Sequence, residues 1–169
     1  GKQPEKKTKT KFKDFVKYIG AREKQTQQSY WENYLAGFNT VTPLPVDNKV
    51  RTKYRKLNKI SYVFSENEIN KINGFLKTHR ITSAALFSCA WGILLQKYNN
   101  LNDVLFGMAV SGRPSAIKGI EDMVGLFINT LPVRVHSDSD VTVLDLMKRN
   151  NTTLIDHDEY SSTPLSDIN

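Results

Sequence analysis

Residues 124–135 read V-G-L-F-I-N-T-L-P-V-R-V, and the pattern changes midway. In the second half Leu131, Val133 and Val135 fall on one side and Thr130, Pro132 and Arg134 on the other. That alternation predicts a strand with one buried face. The first half departs from it. Gly125 opens a position where a side chain would crowd a neighbour or a ligand. Asn129 and Thr130 set two hydrogen-bonding side chains inside an apolar run, and a buried amide must meet backbone, water or substrate. Periodicity alone favours a plain sheet strand whose Asn caps a bulge.

Length and composition narrow the class. A chain of 169 residues suits one domain with a real core. At 39% hydrophobic residues it is neither a disordered chain nor a membrane protein. Its longest apolar stretch, 84–95, carries Ser88 and Gly92 and falls short of the ~20 apolar residues a membrane span requires. The Lys-rich N-terminus has no apolar run after it, so no signal peptide is read, and a cytoplasmic location is expected. A lone cysteine, Cys89, rules out an intrachain disulfide and a cysteine-based metal cluster, and no metal site is expected. The net charge of +7 raises nucleic-acid binding. The basic residues, however, gather in the lead-in 1–11 and in 49–56, away from the patterned half, and solvated surface charge accounts for them. No nucleic-acid or membrane partner is expected.

Periodicity predicts alternating helices and strands. Apolar residues at three- and four-residue spacing mark a helix over 12–35, ended by Gly37, with Gly20 as a possible break. A linker with Pro43 and Pro45 follows. Residues 59–64 alternate as a short strand. Ser65 with Glu68 forms a capping box for a helix over 66–79, with Ile69, Ile72, Phe75 and Leu76 on one face. Thr82 or Ser83 caps a helix to Tyr98 that is apolar nearly all round and so belongs in an interior. Residues 104–110 read as a fully buried strand, 111–122 as a polar loop, and 142–155 as a helix. The fold class is α/β, a mixed sheet packed with helices.

The order of letters carries a further signal. V-G-x-F-I-N-T-x-x-x-R resembles a signature of the condensation domains of nonribosomal peptide synthetases. Ser29 to Gly37 (S-Y-W-E-N-Y-L-A-G) resembles the family's Y-W-x-x-x-L-x-G helix end, and Leu44-Pro45-Val46-Asp47 its L-P-x-D. Asp103 to Gly107, then Val110-Ser111-Gly112-Arg113, resembles D-x-x-F-G…S-G-R. His157-Asp158-Glu159-Tyr160 with Pro164-Leu165 is a looser copy of H-Q-x-x-P-x-x-x-I, with an insertion before the proline. The likeness runs over about 12–168. The family's catalytic signature H-H-x-x-x-D-G has no match: His79, His136 and His157 are the only histidines, and no two are adjacent.

The resemblance therefore implies the C-terminal half of a condensation domain, residues 12–169, ending before its last strands and lacking the half that bears the catalytic histidines. It implies a chloramphenicol-acetyltransferase-like fold and formation of a peptide bond between two carrier-bound thioesters. It places Gly125, Phe127, Asn129 and Thr130 beside the substrate tunnel and Ser111, Gly112 and Arg113 in a loop near it. No catalytic residue is assigned here. Arg113 is expected to pair with Glu121 or Asp122, and His157, His79 and Cys89 are read as structural. No cofactor is bound directly; phosphopantetheine would arrive on carrier domains. The implied partners are the N-terminal half, peptidyl carrier domains and an adjacent adenylation domain. A half-enzyme would expose apolar surface and could self-associate. A coenzyme A-dependent acyltransferase of the same fold, and a non-catalytic module binding carrier protein or nucleic acid, are the alternatives. Epimerisation domains share the fold, but the I-N-T-L-P-V-R run is closer to condensation.

Overall fold

The computed structural model describes residues 11–44 and 59–168. The basic lead-in before Lys11, residues 45–47 of the L-P-V-D block and the cluster 49–56 lie outside the described residues. Chain contacts divide the molecule into two compact units. One comprises 1–40, 105–134 and 152–169; the other comprises 41–104 and 135–151.

The predicted helix over 12–35 is two helices, α1 (Phe12–Ala21) and α2 (Lys24–Leu35). The break falls two residues after Gly20. Arg22 is extended (φ −75°, ψ 135°), and its N–H bonds Ile19 O. This turn points the Arg22 side chain at Glu159, to whose main-chain oxygen it donates a hydrogen bond. Its carboxylate lies 3.5 Å away. The guanidinium also lies over the rings of Tyr18 and Tyr160.

Helix α3 (Glu66–His79) starts as the sequence predicts. Glu68 N donates to Ser65 Oγ, and the Glu68 carboxylate accepts from Ser65 N at 2.8 Å. Those Ser65 bonds hold the Glu68 carboxyl below its ordinary range. Helix α4 (Ser83–Asn99) is capped by Thr82, whose Oγ1 accepts from Ala85 N. It does not lie wholly in an interior. Ala85, Ser88, Cys89, Gly92, Leu95 and Gln96 are buried, while Phe87, Trp91 and Leu94 stay substantially exposed.

The predicted strand over 59–64 is not formed. Ile60, Tyr62 and Val63 stand in solvent at 97%, 69% and 87% exposure, so neither face has the packing that fixes a strand. Instead, Tyr62 donates from its hydroxyl to Glu68. Strand β1 (Asp103–Val110) forms, but of its residues only Val104 is buried, against the expectation of a fully buried run. Strand β2 (Asn129–His136) starts at Asn129, leaving residues 124–128 of the signature dozen outside it. Leu131, Val133 and Val135 are buried as alternation requires, but Pro132 on the opposite side is buried as well, so the strand does not have a single buried face. β1 and β2 form a two-stranded sheet among the described residues. Helix α5 (Val143–Glu159) runs four residues past its predicted end.

Each unit has its own polar ties. In the second, Gln96 Nε2 donates to the carbonyls of Asn102 and Val135. Asn150 Nδ2 donates to Ala85 O and Ser88 Oγ, and Asn151 Oδ1 accepts from the N and Oγ1 of Thr82. Gly92 is required there, because a Cβ would sit 2.5 Å from Val135 Cγ2. In the first unit, Phe15, Ile120, Met123 and Phe127 form a core that Ile19 and Ile117 extend.

Candidate functional site

The seven residues singled out from the sequence all lie in the first unit, on the loop after β1 and the segment that enters β2. Ser111 opens the loop, exposed, with its Oγ accepting from Arg113 N. Gly112 is buried with φ +61°, and a Cβ there would lie 1.7 Å from Phe127 O. Only glycine lets the loop pass this close to the signature segment. Arg113 does not pair with Glu121 or Asp122. Its guanidinium lies 3.9 Å over the centre of the Phe127 ring and donates to the carbonyls of Ile120 and Met123. The short 3-10 turn Ile120–Asp122 leaves both carboxylates exposed and presents these carbonyls to Arg113.

Phe127 is buried against Phe15, with centroids 4.6 Å apart, and Phe12 packs edge-on at 5.2 Å. Gly125 makes room for the same Phe12 ring, which a Cβ would approach to 2.2 Å. Asn129 has its amide engaged by protein. Nδ2 donates to Ser161 O at 3.0 Å and Thr163 O at 2.6 Å, and Oδ1 accepts from Thr130 N at 2.9 Å. Thr130 lies in the sheet with its Cγ2 against Gly107. The signature segment and the H-D-E-Y block are thus tied together, and Thr163 Oγ1 extends the tie to Gln27 of α2.

His157 is 2% exposed, packed by the rings of Tyr30, Trp31 and Tyr34 at centroid distances of 5.8, 4.8 and 4.6 Å. Burial pushes its pKa down to about 4. A neutral imidazole among aromatic rings fits the packing role read from the sequence. Burial, reinforced by Asp156, pushes the Tyr30 hydroxyl up.

Two features escaped the sequence reading. Arg134, the R of the signature, donates from its backbone N to the Tyr34 hydroxyl at 2.6 Å and from its guanidinium to Ala36 O at 2.8 Å. It thereby holds the end of α2. The signature's fixed spacing to this arginine was the available signal. The second is an open cleft of about 620 Å³ beside Tyr18, Ser115, Ile155 and Asp158, where Ser115 Oγ donates to Asp158 at 2.7 Å. These residues are scattered through the chain, so no local pattern announces it. The seven signature residues supply no imidazole or carboxylate. What they can do is hold a stretch of chain in one place.

Comparison with known proteins gives a consistent answer. A family model described as "Condensation domain" matches residues 1–169. Surfactin synthase subunit 2 of Bacillus subtilis (strain 168) is 37% identical over 157 residues, which are 93% of this chain and 4% of that protein. Gramicidin S synthase 2 of Brevibacillus brevis is 34% identical over 159 residues, covering 93% and 4%. Among solved structures, SgcC5 from Streptomyces globisporus superposes with a TM-score of 0.73 at 17% identity, over 99% of this chain and 38% of that one. The starter condensation domain of rhizomide synthetase RzmA, a mutant solved with C8-CoA, gives 0.71 at 15% identity, over 99% and 37%. Both structures show the fold alone. The chain spans about 4% of the length of these curated relatives. No described helix is long and apolar enough to cross a membrane.

Proposed function

The chain belongs to the condensation-domain family of nonribosomal peptide synthetases, and from that premise we propose that it forms one wall of the tunnel in which the peptide bond is made. An acceptor amine attacks the carbonyl carbon of a donor thioester. The new C–N bond forms, the C–S bond breaks, and the donor's thiol leaves. A histidine of the domain's N-terminal half takes the amine proton as general base. This chain contributes no proton transfer; it keeps the two thioesters in line, which removes much of the entropic cost of their meeting.

The observation that carries this reading is the pinning of the signature segment. Gly112 lets the loop lie against Phe127, Arg113 stacks on that ring and grips two carbonyls, and Asn129 anchors the far end. Ser111 and Thr130 flank the same stretch. Both substrates ride on phosphopantetheine arms of peptidyl carrier domains, loaded by an adjacent adenylation domain, in the cytoplasm. The test is to mix this chain with donor and acceptor thioesters on carrier proteins. It should yield no dipeptide above background, and adding the N-terminal half should restore condensation. Turnover by this chain alone would place the general base here and overturn the proposal.

A further inference from the structure

We infer that Gln27 and Thr163 are positioning residues for the tunnel wall, acting through Asn129 on the signature segment. The inference deepens the tunnel-wall reading and rests on it. Gln27 and Trp31 are the buried residues of α2, one turn apart on the same face. An apolar side chain at position 27 would pack there without the cost of burying an amide. The amide instead meets a partner: Gln27 Oε1 accepts from Thr163 Oγ1 at 2.9 Å. Thr163 is 3% exposed and bonds through main chain and side chain alike. Its N–H donates to Tyr160 O at 3.0 Å, its hydroxyl to Gln27, and its carbonyl accepts from Asn129 Nδ2 at 2.6 Å.

These bonds form one line from α2 to the signature segment. Asn129 Oδ1 accepts from Thr130 N, where β2 begins. A shift of the 160–163 turn therefore moves the Asn129 anchor, and with it the residues that lead into the strand. Hydrogen bonds are directional, whereas apolar contact is not. A Leu–Val contact in place of Gln27–Thr163 would keep the turn packed but leave it free to slide against α2. A buried bond of this kind contributes little net stability, because folding exchanges it for bonds to water. What the pair supplies is placement, and the alignment of two thioesters depends on placement. A displacement of about 1 Å, remote from the reacting atoms, can cost ~100-fold in rate.

The experiment uses the intact synthetase that contains this chain. It compares wild type, Thr163→Ser, and the double variant Gln27→Leu with Thr163→Val. The double variant removes both partners at once, so the temperature at which half the condensation activity is lost should stay close to wild type. Its kcat should fall about tenfold or more, with KM for both thioesters unchanged, because neither residue touches a substrate. Thr163→Ser, which keeps the hydroxyl and the carbonyl, should retain the wild-type kcat. A double variant with wild-type kcat overturns the assignment and leaves the tunnel-wall reading standing. So does a KM that rises at unchanged kcat, which would mean that these residues meet substrate. A double variant that inactivates near the assay temperature, or a Thr163→Ser variant that loses as much rate, would make the pair a prop of the fold and also overturn it. If wild type forms no peptide bond, the tunnel-wall reading itself is wrong.

Discussion

The Asn129 amide donates to the Thr163 carbonyl at 2.6 Å, joining the signature segment to the turn that follows α5, 34 residues on. With the second bond to Ser161 O, one side chain satisfies two carbonyls of that turn. Asn129→Ala removes both donors and leaves those carbonyls unpaired. We expect a loss of about 1–3 kcal/mol in stability, the usual cost of orphaned polar groups. Urea denaturation of the purified chain measures it. An unchanged midpoint would free the amide for a role in substrate contact.

Gly112→Ala should be more damaging. The new Cβ would meet Phe127 O at 1.7 Å, and φ at this residue is +61°. Strain of ~1–3 kcal/mol for the backbone adds to overpacking of similar size. The variant is expected to melt well below wild type or to accumulate insoluble, and thermal denaturation decides it.

His157 makes stability depend on pH. Its pKa is about 4 when folded, lowered by burial from 6.5. Between those values the unfolded chain takes up a proton that the folded chain refuses. The contribution is present in full above pH 6.5, is lost as pH falls toward 4, and changes no further below that. The loss amounts to about 3 kcal/mol at most, since one pKa unit is worth ~1.4 kcal/mol. Denaturation curves from pH 7 to 4 should show it, and His157→Gln should remove this part of the slope. An imidazole NMR signal that titrates near 6.5 in the folded protein would contradict the burial.

The chain should self-associate. Phe87, Trp91, Leu94 and Tyr98 form a stripe on α4 with exposures from 42% to 67%, large for apolar side chains on a stable surface. The net charge of +7 opposes association, so raising ionic strength should strengthen it by screening. Sedimentation at several concentrations, in low and in moderate salt, should show a rising mean mass, most simply toward a dimer. A monomer under every condition would mean that the stripe does not drive association.

Local chemistry made much of this molecule legible. The Ser65–Glu68 capping box, the Thr82 cap and the alternation of Leu131, Val133 and Val135 are each decided by a few neighbouring residues, and each stands where the letters put it. The order of motifs likewise sufficed for the family, because a long run of specific letters needs no coordinates to be matched. What failed was whatever depends on partners distant in the chain. Residues 59–64 have a strand's alternation, but all of them stay exposed and none pairs in a sheet among the described residues, so they stay irregular. Arg113 lay near two carboxylates in sequence, yet the fold offered it a ring and two carbonyls. The register of 124–128 was not assigned from the sequence at all. Asn129 and Phe127 carry the conspicuous side chains, but tertiary packing turned them inward onto Ser161, Thr163 and Phe15, leaving Val124, Leu126 and Ile128 outside. Alternation says that two faces exist; only the rest of the fold says which one is buried.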